Sequence, residues 1–493
     1  MVNLAIRYGL PVVLGSYVFI VGCGGHAPML NFAAHNDEPV LKPSTEHPWY
    51  WSYGGRPLLL LGGSDDDNLF QWNAGDLTTQ LDRLESVGGN IIRNTMSDRK
   101  DQGFEVYPFY SVEDGMYDLN QWNEEYWDHF ERLLFETAKR KIVIQIEVWD
   151  RFDYTDKNTF EGQGHWEAHP YNPKNNINYN VESSGLASTY PRHPGANDQP
   201  FFYTTPEQDN NQTVLQYQQR FVEKLLEHTL DYGHVLYCID NETSGDPKWS
   251  TYWASFIREK ASLQNKTVYV TEMWDDWNLG GHQHRYTFDH PEQYDFVDVS
   301  QNTHKSGSEN WDGFLFVKNY LSSKPRPINT IKTYGADGNK FGDSGQDGIE
   351  RFWRHLLGGA AAIRFHRPDA GLGLNDKAMA CIETARKIES MLPFWTLRPD
   401  DALLLEASEN SAYVAADLGQ SYVVYFPNGG SATLDISDAE YPLELFWFEI
   451  DPVTTGERNA QSPAYVSEQK QLSLDVPGQG NWVAVLLRKD SAD

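Results

Sequence analysis

Between residues 57 and 392 the chain repeats one pattern eight times: a short apolar run, a polar loop, then helical periodicity. Apolar runs without polar alternation suit strands buried on both faces, and alternation of strand with helix argues for a parallel sheet. Eight such steps are the count of a closed (β/α)8 barrel. The strand-like runs are 57–61, 90–93, 142–146, 235–239, 268–271, 296–299, 327–331 and 360–365. Helical patterning covers 76–87, stopped by Gly88-Gly89, and then 122–140, 214–228, 347–357 and 377–391. An α/β (TIM) barrel is therefore expected over 46–395. Beyond Pro399 the pattern changes to short alternating strands with turns, as a small β-sandwich over 400–493 requires.

In such barrels the chemistry lies at the C-terminal strand ends. The fourth run reads most sharply: Val235 to Ile239 carries no charge, delivers Asp240-Asn241-Glu242, and is broken by Gly245 and Pro247. Glu242 is the leading candidate, with Asn241 beside it. The other ends should bring Asp65, Asp66 and Asp67, Arg93 or Arg99, Glu147, Glu272, His304, Lys332, Tyr334, His366 and Arg367 to the same rim. Asp65 and Asp66 are candidate ligand-binding acids, and Asp67 suits the cap of the next helix. Arg93, Glu147, Trp274 and Arg367 complete the expected binding set. Residues 153–211, rich in Asn, Pro, Gly, Tyr and His, leave the third strand and should lie over the mouth.

A net charge of -30 argues against nucleic acid, which needs concentrated Lys and Arg. The 16 Trp, 27 Tyr and 24 Phe suit either a large core or a cleft that stacks on sugar rings. Three Cys, at 23, 238 and 381, make no disulfide framework or metal site. Asp65 to Asn68 lack the spacing of a calcium loop, His282-Gln283-His284 reads as a surface turn, and no Gly-rich phosphate loop occurs. No metal and no cofactor are expected. At the start, Arg7 precedes an apolar run, 8–22, too short to span a membrane, ending Ile20-Val21-Gly22-Cys23. This is similar to a bacterial lipobox. It implies a lipoprotein signal peptide over 1–22, a tether over 23–45, and an exported chain, periplasmic or anchored at the outer membrane.

Asn241-Glu242 at the fourth strand end resembles the Asn-Glu of the large clan of barrel glycoside hydrolases, in which that Glu is the general acid/base. Pro57-Leu58-Leu59-Leu60-Leu61-Gly62-Gly63 and the helix after it look like the apiosidase-like branch, whose members carry a C-terminal module labelled collagen-binding. In the tail, Trp447-Phe448-Glu449-Ile450-Asp451-Pro452 with Gly456-Glu457, and Asn481-Trp482-Val483, resemble that module. One departure stands out. The clan's nucleophile is a Glu at the lip of strand seven, where this chain has Lys332.

Hydrolysis needs one carboxylic acid to protonate the leaving oxygen and a second to attack carbon or activate water, about 5–5.5 Å apart for retention or about 6.5–9.5 Å for inversion. Glu242 suits the first role and Glu272 the second, with Glu147 behind it. The alternative takes Lys332 at face value: a lyase or dehydratase of uronic-acid oligosaccharides, working by β-elimination with Lys332, Tyr334, His304 and His366. A third alternative is a surface protein that binds glycan without chemistry. In each, the expected partner is a plant or algal oligosaccharide.

Overall fold

The computed structural model describes residues 40–97, 103, 105–156, 165–196, 199–336, 344–408, 410–450 and 464–489. The lipobox-like segment with Cys23, Arg99, and residues 451–457 of the tail motif lie outside the described residues.

Eight parallel strands form the core: β1 (Leu60–Gly63), β2 (Ile91–Thr95), β3 (Val143–Asp150), β4 (Val235–Asn241), β5 (Val270–Thr271), β6 (Val297–Asp298), β7 (Ile328–Thr333) and β8 (Ala362–Phe365). They pair in the order β5-β4-β3-β2-β1-β8-β7-β6. The two end strands meet as well. The Asp295 N–H donates to the Val270 carbonyl at 2.9 Å, and the Thr271 hydroxyl to the Phe296 carbonyl at 2.8 Å. The ring carries helices α1 (Ala74–Ser86), α2 (Glu124–Arg140), α3 (Gln212–Thr229), α4 (Pro247–Leu263), α5 (His282–Asp289), α6 (Gly307–Tyr320), α7 (Gly345–Gly358) and α8 (Asp376–Glu389). The (β/α)8 expectation holds.

Local chemistry explains the boundaries, including those that differ from expectation. Asn73, not Asp67, caps α1, accepting from the N–H groups of Gly75 and Asp76. Gly359 closes α7 in the left-handed region at φ 89°, a conformation cheap only for glycine. His282 to His284 open helix α5 rather than form a turn, and His284 is buried with its Nε2 2.8 Å from the Asp276 carbonyl oxygen. The first barrel strand begins at Leu60 rather than Pro57, because Arg56–Leu58 turns back antiparallel on Trp51–Tyr53. That hairpin plugs the barrel floor. The Trp51 indole donates to Asn329 (3.0 Å), the Asn329 amide to Gln145 (2.9 Å), and the Gln145 amide to Asp298 (3.1 Å). Each buried polar group thereby finds a partner, and β3, β6 and β7 are tied across the interior.

β7 is not regular. Thr330 pairs with Ile363 but Thr333 with Phe365, so β7 holds one residue more than β8 over that interval. This is a bulge, which re-aims the side chains beyond it. Asn329 and Lys332 are three residues apart, and strict two-residue alternation would send them to opposite faces. The bulge lets both reach the barrel axis.

Where described, the insertion after β3 is well packed. Tyr154 stacks on Phe201 at 3.9 Å, and the Asn172 amide donates to the carbonyls of Trp166 (2.8 Å) and Ser188 (3.0 Å). It reaches the β4 lip, where the Ser244 hydroxyl donates to the Gly195 carbonyl at 3.5 Å.

The C-terminal residues form a six-stranded antiparallel sheet of Arg398–Pro399, Tyr413–Asp417, Ser421–Phe426, Trp482–Arg488, Leu443–Glu449 and Ala464–Val466, in that order. A three-stranded sheet of Leu404–Glu406, Ser431–Asp435 and Gln471–Asp475 faces it. Val414, Tyr422, Val424, Phe426, Leu434 and Leu474 fill the space between the two. The alternate residues Tyr413, Val423, Tyr425 and Val483 join the barrel's core instead. There Trp353 of α7 stacks on Tyr425 at 5.8 Å, the Arg354 guanidinium lies 5.1 Å over Tyr413, and Gln346 and Asn481 exchange amide hydrogen bonds of 3.0 and 2.8 Å. The larger sheet is thus buried on both faces, one against its partner sheet and one against α7.

Candidate active site

Glu242 sits one residue past β4 with φ 57°, left-handed backbone that costs a non-glycine residue about 1–2 kcal/mol. The next residue holds it there: the Thr243 N–H donates to the Met273 carbonyl (3.0 Å), and the Thr243 carbonyl accepts from the Asp275 N–H (2.7 Å). The Glu242 side chain is 13% exposed and meets the Lys332 ammonium, 2% exposed, at 2.5 Å. The same ammonium donates to the Asn241 side-chain oxygen at 2.5 Å, and the Tyr334 hydroxyl donates to Glu242 at 3.3 Å. Burial alone would raise the pKa of Glu242. The positive charges of Lys332 and Arg151 overcome it and hold the carboxylate well below its usual range. Burial and the nearby Glu242 push Tyr334 well above the usual phenol value, so it stays a proton donor. The ends of β4 and β7 thus bring Glu242, Asn241, Lys332 and Tyr334 into contact.

His304 adjoins this group. Its ring lies 5.2 Å from that of Tyr334, nearly perpendicular, and stacks on Trp277 at 4.2 Å. Burial lowers its pKa to about 4 against the pull of Glu242, so it is neutral at pH 7. The His366 ring also adjoins that of Tyr334, at 5.0 Å between centroids, and is likewise held neutral by burial.

A second cluster forms the floor beside β1 and β8. Asp67 takes Arg93 at 2.6 Å, Arg364 at 3.0 Å, His366 at 3.6 Å and Arg367 at 3.7 Å. Burial opposes its charge, but the cations around it win and keep Asp67 ionised well below the usual range. Arg93 continues to Glu147 at 2.5 Å. Glu147 is fully buried, and desolvation raises it to about 7 against Arg93 and Lys332.

Several expected residues are placed elsewhere. Glu272 is fully buried and faces Asp240, not Glu242. It accepts from the N–H groups of Asp240 (3.1 Å) and Met273 (2.8 Å), while Asp240 accepts from the Trp249 indole (3.0 Å). Burial, then the neighbouring Asp240, keeps Glu272 protonated well above its usual range. Arg93 and Glu147, expected to touch ligand, are sealed beneath the floor and support it. Asp66 is spent on its own loop, accepting from the Asp67 N–H (2.7 Å) and the Trp72 indole (3.0 Å). Asp65 accepts from the Leu374 N–H at 2.7 Å. Trp274 is 1% exposed and gives its indole N–H to Thr287, which leaves no open ring face; Trp277, three residues on, is 56% exposed.

Sequence reasoning missed Arg364 and Arg151. Arg364 is a charge inside the otherwise apolar run 360–365, and that anomaly was the available signal. Arg151 follows β3 directly, pairs with Asp275, and donates to Ser244 at 3.1 Å. Its position just past a strand end was the only cue.

No protein-family model and no curated protein matches the chain. Among solved structures it is similar to a glycoside hydrolase family 5 protein of Bacteroides vulgatus (TM-score 0.60, 15% identity, covering 91% of this chain and 92% of that one). It is also similar to a structure described as a glycoside hydrolase (TM-score 0.61, 14% identity, covering 92% of this chain and 98% of that one). At such identities the likeness is one of fold, and it extends over the barrel and the C-terminal sheets together.

Proposed function

We propose that this chain is a carbohydrate-active enzyme that hydrolyses glycosidic bonds of an acidic oligosaccharide, with Glu242 as general acid/base. The observation that carries the reading is the 2.5 Å contact between Glu242 and Lys332 at the barrel rim. At rest Lys332 keeps Glu242 ionised, whereas a general acid must hold a proton when the leaving oxygen departs. A substrate carboxylate or sulfate that engages Lys332 withdraws this counter-charge. Burial, the largest influence on Glu242, then lifts its pKa and lets it take a proton. Once an anionic substrate is seated, Glu242 gives its proton to the leaving oxygen as the glycosidic carbon–oxygen bond breaks, and water then adds to the anomeric carbon and returns a proton to Glu242. The names of the structural neighbours are consistent with this reading, as is the acid's address after β4.

One observation favours a second reading. Lys332 stands where the resembling clan has its nucleophile, while Glu272 faces Asp240 and Glu147 lies behind Arg93. With no second carboxylate in contact with Glu242 among the described residues, β-elimination on a uronic acid needs only the groups present. Lys332 neutralises the sugar carboxylate, and Glu242 or His304 accepts the proton from the adjacent carbon. The carbon–oxygen bond then breaks as the double bond forms, and Tyr334 protonates the leaving oxygen.

A panel of neutral and acidic plant and algal oligosaccharides, read by mass spectrometry, separates the readings. Hydrolysis gives fragments whose summed masses exceed the parent by one water. Lyase scission gives fragments that sum to the parent, and a dehydratase removes one water from an intact chain. Binding without product ends both. Glu242→Gln should abolish hydrolysis, while Lys332→Ala or Tyr334→Phe should weigh more on elimination. The same proposal extends to export as a lipoprotein and to an apiosidase-like lineage. Incorporation of a palmitate analogue, lost in Cys23→Ser, tests the anchor.

A further inference from the structure

Trp277 is the one exposed tryptophan among the described residues. It lies on the turn after β5, and that turn is fixed by its own hydrogen bonds: the Asn278 N–H donates to Asp276 (2.9 Å), the Gly280 N–H to the Asn278 side chain (3.0 Å), and the Gly281 N–H to the Asn278 carbonyl (2.7 Å). The backbone that carries the indole is therefore held in place. One of its faces is covered by His304, with ring centroids 4.2 Å apart and planes within 18°. An exposure of 56% matches a ring with its opposite face open to solvent. From the covered face a continuous ladder leads inward: His304 meets Tyr334 edge-on at 5.2 Å, and the Tyr334 hydroxyl reaches Glu242 at 3.3 Å.

We infer that Trp277 is the platform of a sugar-binding subsite at the cleft mouth, its open face taking the C–H face of a pyranose ring one or two units from the sugar at Glu242. The inference rests on the reading of the cleft as an oligosaccharide site. The chemistry that selects a sugar is the combination of an apolar plane with a polar surround. An indole buries the ring's C–H face, while Asp276 and the exposed Asn278 on the same turn leave its hydroxyls in a hydrated, hydrogen-bonding setting. Because His304 backs the indole, the same stack that holds the outer sugar also sets the plane of a ring touching Tyr334. A longer substrate thereby steadies the residues that act on the shorter part of it.

The test uses the full chain with alginate and xylan oligosaccharides of two to six units, measuring affinity by calorimetry and turnover by mass spectrometry. Trp277→Ala should weaken binding roughly tenfold for chains long enough to reach the platform, with the loss falling on KM and vanishing for the shortest members. Trp277→Phe should recover most of the loss. An unchanged melting temperature is expected, since the ring is exposed. A loss of equal size at every chain length, or none at any, overturns the platform while leaving the reading of Glu242 in place. If the wild-type chain binds no member of either series, the platform and the oligosaccharide reading fall together.

Discussion

A double-mutant cycle on Glu242 and Lys332 tests the central contact directly. The ammonium is 2% exposed and the carboxylate 13%, so the pair is screened far less than a surface ion pair. Glu242→Gln strands a buried ammonium, left with the Asn241 side-chain oxygen at 2.5 Å and the new amide. Lys332→Met strands a buried carboxylate. Breaking a buried pair from one side costs about 3–5 kcal/mol, whereas replacing both partners by neutral groups is often close to neutral. The double variant should therefore lie well above the sum of the singles, with a coupling of about 3 kcal/mol. The pH dependence follows from the direction of the shift. Glu242 is depressed in the folded chain, so its contribution is full above the unfolded carboxylate value of about 4.3 and is lost as pH falls toward the folded value. The gap between wild type and Lys332→Met should be widest near pH 7 and narrow below about pH 4. Urea titrations followed by tryptophan fluorescence at both pH values supply the numbers. Additive single effects, or a gap that ignores pH, would refute an interacting buried pair.

Other outcomes follow from neighbouring contacts. The folded pKa of Glu272 is raised, so its stabilising contribution is present below about pH 4.3 and lost as pH rises through the folded value; Glu272→Gln should flatten the decline in urea midpoint between pH 5 and 8. Arg351 of α7 donates to the backbone carbonyls of Lys305 (2.9 Å) and Tyr334 (3.0 Å), tying the turns that carry His304 and Tyr334. Arg351→Gln should lower kcat about tenfold or more, with a smaller change in KM, and millimolar guanidinium should restore part of it. Deleting residues 398–493 should yield an aggregating barrel, because Trp353 and Trp311 of the outer helices lose Tyr425 and Tyr413; a soluble, cooperatively melting fragment would show the two parts to be independent.

The barrel was legible because strands buried on both faces leave uninterrupted apolar runs that glycine and proline close. What stayed hidden are choices between equivalent-looking residues. The leucines 58–61 carry no mark of where the hairpin partner gives way to β8, so the strand start was misread. Glu272 and Glu242 are both acids past a strand end. A change of one residue in the facing decides that one meets Asp240 inside the wall while the other meets Lys332 at the rim, and periodicity cannot resolve it when both faces are buried. Lys332 reaches the rim through a bulge whose extra residue is visible only in the pairing of β7 with β8. Arg364 and Arg151 become meaningful only once their carboxylate partners, distant in sequence, are brought alongside.

The chain's charge and its cleft pull in opposite directions, and this has a measurable consequence. The whole chain carries -30, yet Lys332 and Arg367 stand at the rim, backed by the buried Arg93 and Arg364, against Asp67, Glu242 and a Glu147 that burial raises to about 7. An anionic oligosaccharide is thus repelled at long range and attracted only within the mouth. At about 0.01 M salt the Debye length is about 30 Å and the repulsion extends well beyond the cleft; at about 0.15 M it is about 8 Å and the outer field is largely screened, while contacts inside a buried floor are screened much less. The KM of an acidic substrate should therefore fall as salt is first added, then rise once screening reaches the floor contacts. A neutral oligosaccharide of equal length should show neither limb. A KM for the acidic substrate that climbs from the lowest salt onward would mean that the surface field does not oppose its approach, and a KM indifferent to salt would mean that the floor does not hold an anion.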